Sequence, residues 1–315
     1  LSTGMATVAN RTSQSPAAAV SLFDVFAEEA LPDLHIAQAA IDGIKIASIP
    51  VEHRQLLRDI EEIVASSTSS LEAFHESSDA IQALLGHKQR QRYLVLFQNN
   101  TELRPTGGFW GSLAEIDILD GELQSISIPG GGTYDQQGQL MKQVASPLPL
   151  QLLRARWELQ DANWFPDFPT SAQKAMWFYE QGGGPSVDGV IAINATLVAD
   201  LINATGSISL PDYGMTIDGE NFMFEAQKQV ELDYSDVSKP KAFIGDLAPE
   251  LLKNLLEAEG ESFMDVAQLM SKGLADRDIQ IYHTDPEIQT AISKLGWDGS
   301  VLGNTGDYLM VTHAN

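Results

Sequence analysis

A mixed α/β fold, with a sheet covered by helices and a helical region ahead of it, is the class this sequence predicts, and three observations predict it. Residues 93–97 (Tyr-Leu-Val-Leu-Phe) form a short, continuously apolar run of the kind found in strands buried on both faces. Residues 190–193 (Val-Ile-Ala-Ile) form a second such run, followed by a helical pattern over 197–203. Ahead of both, the apolar spacing is helical: Val20, Phe23, Phe26 and Ala27, then Ile60, Ile63 and Val64, with no strand-like alternation.

Three regions follow in order. Residues 1–18 are small and polar, with little to bury, and read as a flexible linker. Residues 19–88 read as a helical hairpin or stalk, which Pro32 and Pro50 divide into two or three helices. Residues 89–315 make the α/β core. There, residues 111–119 predict a strand with Glu115 and Asp117 on one face and Ala114, Ile116 and Ile118 on the other. The hairpin signal Asp120-Gly121 ends it, and residues 123–128 return as a third strand. A helical stretch is expected over 150–159 and a helix from Pro169 or Thr170. The strand and helix alternation around 190–203 implies a right-handed crossover and a partly parallel sheet. Beyond Gly206, short strands are expected at 207–210 and 215–217, helices at 220–230, 240–258 and 262–275, and late strands at 278–283 and 307–312 with a helix between them. The chain starts at Leu1 rather than Met and stops inside a strand-like run, so it reads as a fragment whose core is truncated at its C-terminus.

The first buried strand stops in a polar loop, and that loop is the main candidate site. In open α/β sheets ligands lie beyond the carboxyl ends of strands, where Gln98, Asn99, Asn100, Glu102, Arg104 and Thr106 fall. Arg104 offers a planar fork for phosphate or carboxylate, and Gly107 and Gly108 let the backbone approach an anion. The same residues would also serve as turn formers, with Arg104 paired to Glu102. If the first strand runs up, the third does too, so the glycine run that includes Gly130 and Gly131 emerges at the same edge and could form an anion nest or a plain connector. Asp161-Ala-Asn163-Trp-Phe-Pro-Asp167 is a third polar cluster. Asp161 and Asp167 are candidates for holding a divalent cation, while Asp167 could equally cap the helix that follows, with Trp164 and Phe165 plugging the core.

Composition removes several chemistries. With 19 basic against 43 acidic residues the formal charge is -24, which repels phosphate backbones, and no basic stripe with interleaved aromatics occurs, so nucleic acid is not an expected partner. The absence of cysteine excludes disulfides, thiolate zinc sites and thiol nucleophiles. The six histidines are dispersed without metal-ligand spacing, and no Gly-x-Ser-x-Gly elbow is present. No run of about 20 apolar residues exists, so no membrane span is expected in this chain.

Taken together, Tyr93-Leu-Val-Leu-Phe-Gln-Asn-Asn-x-Glu-Leu-Arg-Pro-Thr-Gly-Gly-Phe, the Asp161-Ala-Asn-Trp-x-Pro-Asp-Phe-Pro cluster and the Asp188-Gly-Val-Ile-Ala-Ile strand resemble the bacterial surface family known as domain of unknown function 4012. That family is distantly similar to the LytR-CpsA-Psr phosphotransferases, which move glycan phosphates from polyprenyl pyrophosphate onto cell-wall glycans. The resemblance implies a LytR-CpsA-Psr-like core, an extracytoplasmic location on the bacterial surface, and a membrane anchor ahead of the helical region in the full-length protein. It places Arg104 where those enzymes bind pyrophosphate, and Asn163 near their site. Their Arg and Asp after Ser-Ile-Pro are replaced by Gly130 and Gly131, and their later Arg-rich segment by one carrying Glu231, Asp233 and Asp236. The implied function is therefore a degenerate pocket that binds a phosphorylated or lipid-linked glycan, or a surface scaffold. The alternative is a Mg²⁺-dependent phosphotransferase in which Arg104, Asp161 and Asp167 act on the diphosphate, with Gln98, Asn99, Thr106, Gly107, Gly108, Gly130, Gly131 and Asn163 binding it and Mg²⁺ on Asp161 and Asp167.

Overall fold

The computed structural model describes residues 15–152, 154–231, 242–303 and 309–312. The chain divides into two compact units, residues 1–90 with 119–122, and residues 91–118 with 123–315. Residues 1–14 of the expected linker, and Asp233 and Asp236, lie outside the described residues.

The first unit is a helical pair. Helix α1 spans Pro16–Asp42 and starts on Ser15, whose hydroxyl accepts from the Ala18 amide, with Pro16 in the first turn where its missing N–H costs nothing. Helix α2 spans Arg54–Leu84. Phe23 and Phe74 meet edge to face at 4.7 Å, and Asp24 pairs with His75 at 2.8 Å. Pro50 falls in the connector as expected, but Pro32 sits inside α1 instead of ending it. Pro32 is exposed, so water can satisfy the carbonyl that its ring leaves unbonded, and the burial of α1 against α2 outweighs the local penalty. The turn residues Asp120 and Gly121 take φ of 54° and 78°, the left-handed pair that a two-residue hairpin requires. The Gly121 and Asp120 amides donate to the Leu85 and Gly86 carbonyls.

The second unit holds a five-stranded mixed sheet in the order β3-β2-β1-β4-β7. Strands β1 (Gln91–Asn99), β2 (Phe109–Leu119) and β3 (Glu122–Ser127) form a meander, and β1 pairs parallel with β4 (Gly189–Asn194). After helix α3 (Phe168–Gln181) and β4, the chain enters α4 (Ala195–Thr205), a small hairpin of β5 (Ile208–Leu210) and β6 (Met215–Ile217), helices α5 (Phe222–Glu231), α6 (Ala242–Leu256) and α7 (Gly260–Ala275), strand β7 (Ile279–His283) and helix α8 (Pro286–Lys294). Strand β7 closes the sheet antiparallel to β4. The fold is the mixed α/β class that the buried runs predict.

The period-two alternation of β1 sends Leu94 and Leu96 to one face, where they join Trp110, Val190 and Ala192 in a core with Phe168, Ala172, Ala175 and Phe178 of α3. Tyr93, Val95 and Phe97 alternate to the other face. On β2 the acidic pair does not face water: Asp117 is buried, accepting from Arg92 Nε at 2.9 Å and from the Ser125 hydroxyl at 2.7 Å, and Glu115 accepts from the Tyr179 hydroxyl at 2.8 Å. Arg92 on the neighbouring strand makes that burial tolerable, because a buried carboxylate needs a cation and hydrogen bonds together.

Two expected elements differ. Residues 150–159 hold only 3₁₀ turns at Leu150–Leu152 and Leu159–Asp161. Pro147 and Pro149 restrict the approach, and the chain doubles back so that Ala145 bridges Arg156 and the Trp157 amide reaches the Val144 carbonyl. The expected strand at 307–312 falls partly outside the described residues, and 309–312 carry no regular structure.

Candidate functional site

Next to the end of strand β1 lies Gln98, a fully buried side chain that organises everything around it. Its Oε1 accepts from Trp110 Nε1 at 2.8 Å and from the Thr106 hydroxyl at 3.0 Å, while its Nε2 donates to Asn194 Oδ1 at 2.9 Å. Asn194 in turn donates to Asp278 at 2.7 Å, and Gln280 Nε2 donates to the Thr106 carbonyl at 2.7 Å. Strands β1, β2, β4 and β7 are thus joined at one end by a chain of satisfied amides, which fixes the loop from Asn99 to Gly108. Gly107 has φ of 128°, which an L side chain rarely adopts, and a Cβ on Gly108 would lie 2.6 Å from the Asn99 carbonyl group.

Arg104 lies on this loop, mostly buried, donating to Glu102 Oε1 at 2.9 Å and stacking over the Phe109 ring at 5.2 Å. Asn163 is buried and donates to the Gly108 carbonyl at 2.7 Å, which ties the Asp161–Asp167 cluster to the Arg104 loop. Asp161 is also buried. Desolvation pushes its carboxyl above the ordinary carboxylate range, against the pull of Arg154 and Arg104, and Arg154 Nη1 stands 3.8 Å from Asp161 Oδ2. That oxygen, Asn163 Oδ1 and both polar atoms of Gln160 are buried without a hydrogen-bond partner.

The remaining candidates are committed elsewhere. Asp167 caps α3: its Oδ2 accepts from the Thr170 amide and hydroxyl, and its Oδ1 from the Val301 amide. Asn99 folds back to accept from the Thr101 amide and hydroxyl. The glycine run does emerge at the Arg104 edge, held by the Thr133 hydroxyl on the Trp110 carbonyl, but it is not an open nest. Gly131 N–H donates to Asp135, and Gly132 N–H donates to the Pro129 carbonyl. Gly130 precedes this 3₁₀ turn, Gly132–Gln136.

A cavity of about 670 Å³ opens on the face of the sheet opposite α3. Glu102, Phe109 and Tyr134 line it at the loop edge. Its far wall is the face of α6 carrying Ile244, Leu247, Ala248 and Leu251, which recur at helical spacing, and Phe222 of α5. Phe97 and Ile193, on the adjacent strands β1 and β4, stay partly accessible because they face this space. The sequence places the helices α5 and α6 but carries no mark of the cavity, since it arises from which helix faces meet the sheet.

Asp161→Asn should stabilise the protein. A carboxyl whose pKa is raised on folding favours the native state below its unfolded value of about 3.9 and loses that contribution as pH climbs through the folded value. At pH 7 the neutral amide should therefore gain on the order of 1 kcal/mol, the scale of a buried polar group lacking a partner, and the gain should vanish near pH 3. Urea melts at the two pH values check this; equal gains at both would refute the electrostatic account.

These features define an α/β domain with an Arg-bearing loop poised over an apolar cavity. Residues 88–230 match the family described as "Protein of unknown function (DUF4012)", which places the Arg104 loop, the Asp161–Asp167 cluster and β4 inside that family's segment. No curated protein matches the chain. Among solved structures, protein gbs0355 from Streptococcus agalactiae is 14% identical, covering 67% of this chain and 74% of its own, with a TM-score of 0.41. The transcriptional regulator yvhJ from Bacillus subtilis is 12% identical over 66% of this chain and 76% of its own, with a TM-score of 0.38. B. subtilis TagV is 11% identical over 67% and 80%, with a TM-score of 0.37. At these scores the likenesses say nothing of this chain's activity.

Proposed function

We propose that the α/β unit binds an amphiphilic anionic ligand of the lipid-linked glycan phosphate class, outside the cytoplasm at the bacterial surface, and does not transfer the phosphate. One observation carries the reading: the cavity is apolar, large enough for several isoprene units, and shares Glu102 and Phe109 with the Arg104 guanidinium. The apolar tail fills the space between β1, β4 and α6, and the anionic head takes the place of Glu102 on Arg104, whose fork suits phosphate oxygens. A pure scaffold would have its groove filled, and a phosphotransferase would gather more cation around a diphosphate than Arg104 and Arg154 provide among the described residues.

Mg²⁺ on Asp161 and Asp167 suits the geometry poorly. Both Asp167 oxygens accept protein hydrogens, two guanidinium groups already act on Asp161, and no cluster of three or more acidic or imidazole side chains able to hold a metal occurs among the described residues. No step of the proposal passes through a metal.

Calorimetric titration with a short-chain polyprenyl phosphate tests the reading against wild type, Arg104→Ala and the cavity-filling Ala248→Trp. Wild type should bind, Arg104→Ala should lose about tenfold, the scale of one charge-assisted contact, and Ala248→Trp should lose binding while keeping its circular dichroism. The corresponding isoprenoid alcohol should bind wild type and Arg104→Ala alike. Folded wild-type protein that binds neither compound would overturn the proposal.

A further inference from the structure

Residues 136–157 contain Lys142, Arg154 and Arg156 and no acidic residue, in a chain whose formal charge is -24. The same stretch holds Met141, Leu148 and Leu152 at 96%, 80% and 90% exposure, among the most accessible large apolar side chains of the described residues. These side chains belong to a built lobe. The Ala145 to Arg156 bridge closes it, the Arg154 amide donates to the Leu150 carbonyl, Gln151 Nε2 donates to the Ser146 carbonyl, and Leu140, Val144 and Leu150 pack inward against the α3 core. The apolar side chains of the lobe therefore divide into an inward set that the core explains and an outward set that none of the described residues covers.

We propose that this lobe is a docking surface for an anionic lipid bilayer, with Met141, Leu148 and Leu152 entering the headgroup and acyl boundary and the exposed Lys142 and Arg156 meeting lipid phosphates, while Arg154 stays against Asp161. Protruding aliphatic side chains beside exposed basic ones, with the neighbouring acids Glu158 and Asp161 buried, are what an anionic membrane interface selects. A second copy of the chain is disfavoured, because the same face would set Lys142 and Arg156 against their own copies. A folded protein partner is disfavoured too, since the anchors of such interfaces are enriched in aromatic residues and the exposed anchors here are aliphatic. Nucleic acid would leave the three aliphatic groups in water. The remaining acidic surface is repelled by the same membrane, so the lobe fixes which side of the unit approaches it. The inference does not depend on the cavity having a ligand, because vesicle binding requires this lobe alone.

Co-sedimentation of the full chain with vesicles tests it, using phosphatidylcholine alone and phosphatidylcholine mixed with phosphatidylglycerol. The chain should bind the mixed vesicles and not the neutral ones, and binding should weaken as salt rises. Met141→Ser, Leu148→Ser and Leu152→Ser combined should lower the partition coefficient by at least about tenfold. Lys142→Gln with Arg156→Gln should lower it by about 25-fold at low salt, roughly fivefold per charge. All five positions are exposed, so melting curves should be unchanged. Wild-type protein that fails to bind mixed vesicles would overturn the proposal, as would binding that the triple serine variant leaves intact. Concentration-dependent dimerisation abolished by that variant would overturn it in favour of a self-interface, and capture of an acidic protein without vesicle binding would do so in favour of a protein partner.

Discussion

Gln98→Leu should be among the most damaging single changes in this chain. The substitution preserves much of the volume but strands Trp110 Nε1, the Thr106 hydroxyl and Asn194 Oδ1 inside the sheet end. Each stranded group costs about 1–3 kcal/mol, and members of one network lose less than the sum, so the expected destabilisation is about 3–5 kcal/mol. Against a domain stability of roughly 5–15 kcal/mol that is enough to depopulate the folded sheet at moderate temperature. The chain has two compact units, so the transition of the α/β unit must be followed by a probe of its own, such as the near-ultraviolet signal of the tryptophans, all five of which lie in that unit. A loss below about 1 kcal/mol would show that the network is not a structural hub.

Gly108→Ala should act on the loop more than on the core. Its Cβ would lie 2.6 Å from the carbonyl carbon and oxygen of Asn99 and 2.7 Å from the Asn100 nitrogen, all backbone atoms that cannot swing aside as a side-chain tip can. Relief requires the loop to shift, and overpacking of this kind costs about 1–3 kcal/mol. The Gly108 carbonyl also holds Asn163, so the shift would detach the Asp161 cluster from the Arg104 loop. Anionic-ligand affinity should then fall more than tenfold while binding of the uncharged isoprenoid alcohol is retained. Equal loss of both would mean that the cavity itself had collapsed. Unchanged binding of both would refute the part assigned to the loop.

The strands were legible because their burial leaves a mark in the sequence: β1 and β4 are covered on both sides and read as unbroken apolar runs, and Asp120-Gly121 is a turn whose left-handed backbone few other pairs accept. What escaped depends on distant partners. Asp117 has no partner visible in the sequence until Arg92 is brought beside it across the β1–β2 register. Pro32 reads as a helix end because its local penalty is visible and the packing of α1 on α2 is not. Among the site candidates, Arg104, Thr106, Gly107, Gly108, Gln98, Asn163 and Asp161 do gather around one loop; the signal is the polar loop after a buried strand for the first five and the polar cluster ahead of a helix for Asn163 and Asp161. Asn194, Asp278 and Gln280 complete that site from remote segments and had no signal of their own. The cavity depends on the rotation of α6 about its axis, which a periodic pattern constrains only to one face.

Strand β4 passes into helix α4 without an intervening residue, and Asn194, at the junction, is bonded on one side to Gln98 and on the other to Asp278. That junction has no slack. Ala195 and Val198 on the first turn of α4 line the cavity, so this wall inherits the stiffness of the hydrogen-bonded sheet, while Phe222 and Leu247 belong to helices outside the sheet. The pocket consequently behaves as a gauge with one fixed jaw. A guest slimmer than the gap would leave voids along that jaw and a thicker one would have to displace α5 or α6, so girth would be selected by the distance between the sheet and those helices.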